Sequence, residues 1–261
     1  MTKMETITSA ANPLVKDVRR AVARGGLTDD GCCVAETFHL LEEALRSGCD
    51  VRAVLVAESM ASRVTGVKPV ALPDALLRSM AGTESSPGVI ALVKPREWTL
   101  EDLLRGRPLI VVLDELQDPG NAGAIVRTAE AFGATGAIFV RGTASPHNPK
   151  TLRASAGSLF RLPVLHGMDG AVAREALRGR GVELIVSVPA RPGEPACPPS
   201  EVDMTGACAL IIGNEARGVT GDLSAGARRV SIPTVGVESL NAAVAAGILL
   251  YESRRQRAIQ P

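Results

Sequence analysis

The chain has 261 residues, a formal net charge of +1 at pH 7 and only 2% aromatic residues. Its length suits one or two domains, and its core must be aliphatic, as in α/β proteins with covered parallel strands. Five cysteines without a Cys-x-x-Cys pair or a histidine at ligand spacing argue against a zinc site and for a reducing compartment. No apolar run approaches the length of a membrane span, so we expect a cytoplasmic protein with no membrane partner. From the cysteine and histidine pattern we also expect no metal.

The first 94 residues predict a small α/β unit. Asn12 and Pro13 predict a helix start, because asparagine is a favoured N-cap and proline is tolerated at the first helical position. Strands and helices then alternate. We predict strands at 32–35, 51–57, 67–72 and 88–93, and helices at 37–46 and 73–80. Residues 95–107 are predicted to form a linker, with Pro95 as a breaker.

A second unit begins at residue 108 with a βαβ pattern: a strand at 108–113, a polar loop at 114–123, a helix at 124–132 and a strand at 137–140. The glycines in and after this loop do not have the spacing of a dinucleotide fingerprint. Further elements are predicted as helices from 149 and at 169–178, and strands at 162–165, 182–188 and 207–212.

The 28 residues from Arg141 to Met168 contain no carboxylate, although the chain as a whole is evenly charged. A surface that faces phosphates needs this composition, and a solvated loop is an equally good explanation. We predict RNA contacts from five basic residues, two of them on the first helix: Arg19, Arg20, Arg141, Lys150 and Arg153.

Two apolar runs near the carboxyl terminus, 207–212 and 230–232, each break into a loop that contains glycine, and a helix follows at 241–257. Ligands of open α/β sheets bind beyond the carboxyl ends of strands, so both loops and the loop after Leu113 should line one crevice. The crevice offers no histidine base, cysteine nucleophile or carboxylate pair, which excludes glycosidase and papain-like schemes. We expect Arg127 to face this crevice and to clamp a phosphate.

Three ordered motifs resemble those of the SpoU/TrmH family of RNA ribose 2′-O-methyltransferases, which use S-adenosylmethionine. They are Asn121-x-Gly123-x-x-x-Arg127, Gly213-Asn-Glu215-x-x-Gly218, and Ile232-Pro233 with Ser239-Leu-Asn241. The stretch 148–157 also resembles a segment that the family keeps between its first two motifs. Residues 1–93 look more weakly like the family's amino-terminal substrate-binding domain, which resembles a small ribosomal protein.

The resemblance implies an α/β fold of the SPOUT superfamily. Residues 108–261 would form a knotted, parallel-sheet catalytic domain with a deep carboxyl-terminal trefoil knot. Residues 1–94 would form the smaller α/β substrate-binding domain. Topological rules alone argue against a knot, because knots are very rare. The resemblance also implies a homodimer with its active sites at the subunit interface.

The resemblance further implies residue roles. Arg127 would act on the ribose 2′-hydroxyl, and four polar residues would order the catalytic site: Asn121, Glu215, Ser239 and Asn241. Six residues would bind the cofactor, the first three through backbone groups: Gly213, Ile232, Leu240, Leu210, Asn214 and Gly218. Taken singly, such residues more often cap helices or close turns. One departure is that five residues, 234–238, separate Pro233 from Ser239, where the family usually has six.

We therefore expect an enzyme that methylates a ribose 2′-hydroxyl in RNA, with 23S rRNA favoured because a full amino-terminal domain is present. Alternatives within the family are a tRNA 2′-O-methyltransferase and an antibiotic-resistance rRNA methyltransferase. An alternative of another class is a non-catalytic RNA-binding or ribosome-assembly protein that keeps the fold.

Overall fold

The computed structural model describes residues 5–82, 88–189 and 195–259. Contacts divide the chain into two compact units. The first unit comprises Met1–Glu97 with His147–Arg161, and the second comprises Trp98–Pro146 with Leu162–Pro261. The segment His147–Arg161 therefore packs with the amino-terminal unit, although the motif pattern placed it inside the catalytic domain.

The helices and strands follow one another along the chain, from β1 at the amino terminus to α9 at the carboxyl terminus. They are β1 (Glu5–Thr6), α1 (Pro13–Arg24), β2 (Cys33–Ala35), α2 (Phe38–Arg46), β3 (Asp50–Ala57), β4 (Val70–Leu72), α3 (Asp74–Arg78), β5 (Val89–Lys94), α4 (Leu100–Leu103), β6 (Leu109–Leu113), α5 (Pro119–Ala131), β7 (Gly136–Val140), α6 (Pro149–Ser155), β8 (Val164–Met168), α7 (Gly170–Arg178), β9 (Glu183–Ser187), β10 (Cys208–Ile212), α8 (Gly221–Ser224), β11 (Arg228–Val230) and α9 (Ala242–Ile259).

The first unit contains a mixed five-stranded sheet in the order β1-β4-β3-β5-β2. Helix α1 begins as predicted, because the Asn12 side chain accepts a hydrogen bond from the Leu14 amide and Pro13 occupies the first turn. The helix ends at Gly25, whose φ of +62° is a left-handed conformation that suits glycine. Its buried stripe of Val15, Val18 and Ala21 packs into the unit's core.

The second unit contains a six-stranded sheet in the order β11-β9-β10-β6-β7-β8, with every pairing parallel. Strands β6, β7 and β10 are buried along their whole length, which explains their continuous apolar sequences. Ile212 at the end of β10 pairs with Leu113 at the end of β6. The loops that follow these two strands therefore leave the sheet side by side.

Several predicted boundaries are wrong, among them the strand predicted at 162–165, which is observed at Val164–Met168. Helix α5 begins at Pro119 and not at residue 124, because the Asp118 side chain accepts hydrogen bonds from the Gly120 and Asn121 amides. Asn121 thus lies in the first turn of a helix and not in a loop. The predicted linker also contains helix α4, which Thr99 and Asp102 cap reciprocally. Among the described residues, no helix is both long enough and apolar enough to cross a bilayer.

Candidate active site

A cavity of about 650 Å³ lies in the second unit, where the chain leaves strands β9, β10 and β11. Five of the six predicted cofactor-binding residues line it: Gly213, Asn214, Gly218, Ile232 and Leu240. The sixth, Leu210, does not line the cavity, because it lies inside β10 and is buried in the sheet's core. Glu215 and Ser239 also line the cavity. Two of the three predicted motifs therefore meet at one place.

The loop that follows β10 has a tightly specified backbone. Asn214 and Gly218 exchange two backbone hydrogen bonds, of 3.0 and 2.8 Å. The Asn214 side-chain oxygen accepts from the amides of Ala216 and Arg217, which closes a local turn. A Cβ atom at Gly213 would lie 2.5 Å from the Gly218 carbonyl oxygen, so only glycine fits there. The loop thus forms one wall of the cavity, and every residue from Gly213 to Val219 lines it.

Hydrogen bonds join the three motifs beside the cavity. The Asn121 side-chain nitrogen donates to Glu215 Oε1 at 2.9 Å, and the Asn241 side-chain nitrogen donates to Asn121 Oδ1 at 3.2 Å. Asn241 also caps α9, because its Oδ1 accepts from the amides of Ala243 and Val244. The loops after Ile212 and Ile232 line one cavity as predicted, whereas no residue of 114–123 does. Asn121 is joined to the other two motifs by hydrogen bonds beside the cavity. Ser239 does not cap the last helix, since Asn241 does.

Arg127 does not face the cavity, so this prediction is wrong. It is exposed on α5 and does not belong to the cavity lining. Because α5 begins five residues earlier than predicted, Arg127 lies in its third turn and not its first. Helix α5 packs against α9. The exposed face of α9 carries three apolar side chains at helical spacing: Val244, Ile248 and Tyr251.

Asp114 is a polar residue at the site that the sequence patterns did not single out. It follows β6 directly, is 1% exposed, and accepts a hydrogen bond from the Thr220 amide at 2.6 Å. Burial raises the pKa of the Asp114 carboxyl above its usual range, and the hydrogen bonds from Thr220 oppose this shift. Its position in the sequence could have revealed it. A carboxylate that directly follows a fully apolar strand is expected to be buried and therefore to need hydrogen-bond donors.

Most of the predicted RNA-contacting residues have partners within their own unit. Arg19 donates a hydrogen bond to the Ser79 hydroxyl. Arg20 forms a salt bridge with Asp29, and Arg141 forms one with Asp169 at 3.0 Å. Arg153 pairs with Glu36, whose side chain is fully buried. Lys150 is exposed in the first turn of α6.

Pairing explains part of the acid-free stretch. Arg153 and Arg161 both pair with carboxylates of the first unit, Glu36 and Glu43, which are themselves buried. The stretch lacks acidic residues in part because it supplies the cations for these buried anions. In the described part of the chain, no group of three or more His, Cys, Asp or Glu residues could hold a metal ion.

The second unit has a parallel sheet with a cavity at its strand ends, and Gly213 and Gly218 form part of the cavity lining. Beside the cavity, Asn121 is hydrogen-bonded to Glu215 and Asn241. This arrangement is the one expected of a methyltransferase of the SpoU type. The model described as "SpoU rRNA Methylase family" matches residues 108–251, more than half of the chain, and the chain belongs to this family.

Three known proteins illustrate the similarity. An uncharacterised tRNA/rRNA methyltransferase of Synechocystis is 34% identical, covering 97% of this chain and 94% of that protein. The 23S rRNA (guanosine(2553)-2′-O)-methyltransferase RlmP of Bacillus subtilis is 33% identical, covering 96% and 100%. The crystal structure of the SpoU methyltransferase AviRb from Streptomyces viridochromogenes, in complex with the cofactor AdoMet, is 28% identical. It superposes with a TM-score of 0.81, covering 95% of this chain and 98% of that one.

Proposed function

We propose that the chain transfers a methyl group from S-adenosylmethionine to a ribose 2′-hydroxyl of 23S rRNA. The observation that carries this proposal is the hydrogen-bonded network of Asn121, Glu215 and Asn241 beside the cavity. Each of its members comes from a different motif, and the cavity beside it has a size that suits a small-molecule ligand. The similarity to the Bacillus subtilis 23S rRNA enzyme supports the choice of substrate.

The cavity residues fit S-adenosylmethionine. Gly213 lets the backbone of Gly218 and Val219 approach it closely, which holds the wall of the cavity in place, and Ile232 and Leu240 supply backbone groups between apolar side chains. Such a site can hold a flat polar base by hydrogen bonds and stacking surface together. When bound, the cofactor supplies an activated methyl group. Asn214 and Gly218 hold the loop that forms one wall, and this is the role we assign to them.

Arg127 is the residue that we propose to act on the ribose. Arginine stays protonated in proteins, so it is not a base. Its guanidinium stabilises the negative charge that develops on the 2′-oxygen, and a substrate phosphate accepts the proton. Asn121, Glu215, Ser239 and Asn241 hold the reacting groups in line, which supplies much of the rate. The shorter loop at 234–238 keeps Ser239 and Leu240 in the cavity lining.

We further propose that the active enzyme is a homodimer. Val244, Ile248 and Tyr251 are 52, 39 and 58% exposed and share one face of α9, which packs against the helix that carries Arg127. An apolar face of this kind is a candidate for burial against a second copy. Arg127 does not line the cavity of its own chain, and we propose that it serves the partner's cavity across this interface.

We also propose that the second unit contains the deep trefoil knot of the SPOUT superfamily. Strand β11 lies at one edge of the sheet, yet α9, which follows it, packs against β10 and α5 in the middle. The chain between them passes along the cavity through Ile232 and Leu240. A return of this kind from the edge to the centre is what threading through a loop requires.

The amino-terminal domain, residues 1–94, is the part that we propose to recognise RNA. Arg19, Arg20 and Lys150 are the best candidates, together with Arg141 of the second unit. Their exposed or surface-paired side chains can exchange partners for phosphates at little cost. Arg153 is a weaker candidate, because leaving Glu36 unpaired and buried would be costly. A ribosomal substrate would place the enzyme in the cytoplasm.

Methyl transfer from radiolabelled S-adenosylmethionine to purified 23S rRNA, 16S rRNA and bulk tRNA tests the substrate. We expect label in 23S rRNA only. Label in tRNA alone would favour the tRNA alternative. If no RNA is labelled, either free or in assembled 50S subunits, the non-catalytic alternative replaces the proposal.

A further inference from the structure

The loop Gly213–Thr220 is fastened at its far end to the strand beside it. Asp114, the first residue after β6, accepts a hydrogen bond from the Thr220 amide at 2.6 Å, and the Thr220 hydroxyl also donates to it. The Asp114 amide donates to the Ile212 carbonyl at 2.9 Å. Asp114 therefore holds the residue before the loop and the residue that ends it.

Glu115 fastens the same loop near its start. Its carbonyl accepts a hydrogen bond from the Asn214 side chain at 2.9 Å, and its carboxylate pairs with Arg217 at 2.7 Å. Glu115 has a φ of +52°, a left-handed conformation that is uncommon for a residue other than glycine. Such conformations persist where the surroundings determine them, and they concentrate at functional sites.

The burial of Asp114 indicates a role beyond packing. Its side chain is 1% exposed, and a buried carboxylate must be compensated by donors to be tolerated. For stability alone, an apolar side chain at this position would serve at least as well, because buried charged interactions often contribute little to the free energy of unfolding. The Asp114 carboxylate accepts hydrogen bonds from the amide and the hydroxyl of Thr220. These bonds fix the position of the residue at which the loop ends.

We infer that Asp114 is a positioning residue for the methyltransferase, which holds the loop Gly213–Thr220 in the conformation that forms the cofactor-binding wall, with Glu115 as a second anchor. The inference deepens the proposed function and rests on it for the identity of the ligand. A loop held in its bound conformation binds more tightly, because less conformational entropy is lost on binding. Glu215 is carried by this loop, so its hydrogen bond with Asn121 depends on the same anchors.

The test compares Asp114→Asn and Asp114→Ala with a matched control, Asp102→Ala. Asp102 accepts hydrogen bonds from the amide and the hydroxyl of Thr99, the same pair of donors that Thr220 offers to Asp114, and it does not line the cavity. Affinity for S-adenosylhomocysteine is measured by calorimetry. Amide hydrogen exchange of the loop and of β6 is measured without ligand.

We expect Asp114→Ala to weaken binding at least ~10-fold, since a hydrogen bond to a charged acceptor is lost. We expect exchange to become faster in residues 213–220 but not in β6. Asp114→Asn, whose amide oxygen still accepts from Thr220, should fall between Asp114→Ala and the wild type, and Asp102→Ala should bind normally.

Wild-type affinity together with wild-type loop exchange in both Asp114 variants would overturn the inference. If Asp114→Ala does not fold, the isosteric Asp114→Asn decides by the same two readouts. A wild-type chain that binds no S-adenosylhomocysteine would contradict the proposed function instead, and the exchange measurement would still test the loop.

Discussion

Gly213 offers the sharpest single test of the cavity wall. In Gly213→Ala, the added methyl group would lie 2.5 Å from the Gly218 carbonyl oxygen and closer still to the Gly218 carbonyl carbon. Ordinary contacts begin at 3.4 Å and the nearest obstructing atom, the Gly218 carbonyl carbon, lies at 2.3 Å, so the loop must retreat by about 1.1 Å. The obstructing atoms are backbone, and no flexible side chain can move aside in their place. The retreat therefore displaces the wall itself.

A misplacement of about 1 Å can lower a catalytic rate roughly 100-fold. We expect a similar displacement of the cavity wall in Gly213→Ala to weaken S-adenosylhomocysteine binding by roughly 10- to 100-fold. Global stability should change less, because the loop is partly exposed. Gly221→Ala is the matched control, because a Cβ there meets nothing within 4 Å. Calorimetry at 25 °C measures both variants. If Gly213→Ala binds as tightly as Gly221→Ala, the assignment of this loop to the cofactor wall is wrong.

Three further predictions concern other parts of the site. Arg127→Ala should lower turnover by at least ~100-fold and leave S-adenosylhomocysteine affinity within about twofold, as expected of a group that acts on the transition state; weakened affinity with unchanged turnover would make Arg127 a binding residue. Ile248→Asp should convert a dimer into monomers in sedimentation velocity, because it places a charge on the apolar face of α9; an unchanged dimer would locate the interface elsewhere. Burial raises the pKa of Asp114 above its ordinary 3.8, so the native state holds this proton more tightly than the unfolded state does. The contribution of Asp114 to stability is then greatest below pH 3.8 and decreases as the pH rises through the raised pKa. The melting temperature of wild type minus that of Asp114→Asn should decrease from pH 3.5 upward, and an increase would contradict the direction of the shift.

The parts of the fold that the sequence predicts best are its buried parallel strands. Strands β6 and β10 are uninterrupted apolar runs, and such runs have few other uses in an α/β protein. The convergence of the three motifs was also predictable, because parallel strands end at one edge of a sheet. The start of α5 was not, because Gly120 and Gly123 read as loop residues until the Asp118 cap is seen.

What the sequence could not reveal depends on contacts between distant residues. Arg153 looked like a phosphate contact, yet its partner is Glu36, which lies 117 residues away and is buried. The role of Asp114 likewise depends on Thr220, 106 residues further along. Local patterns identify a residue's type and its neighbours on the same element, but they do not identify long-range partners. The exposed position of Arg127 was missed for a related reason, since the face of α5 that is buried depends on its packing against β6, β7 and α9.

The most direct test of the central claim is the chemical identity of the product. 23S rRNA treated with the enzyme and S-adenosylmethionine would be digested to nucleosides and analysed by mass spectrometry against untreated RNA. We predict a new 2′-O-methylnucleoside, absent when Arg127→Ala replaces the wild type. A methyl group found on a base would contradict the account, as would undiminished product formation by Arg127→Ala.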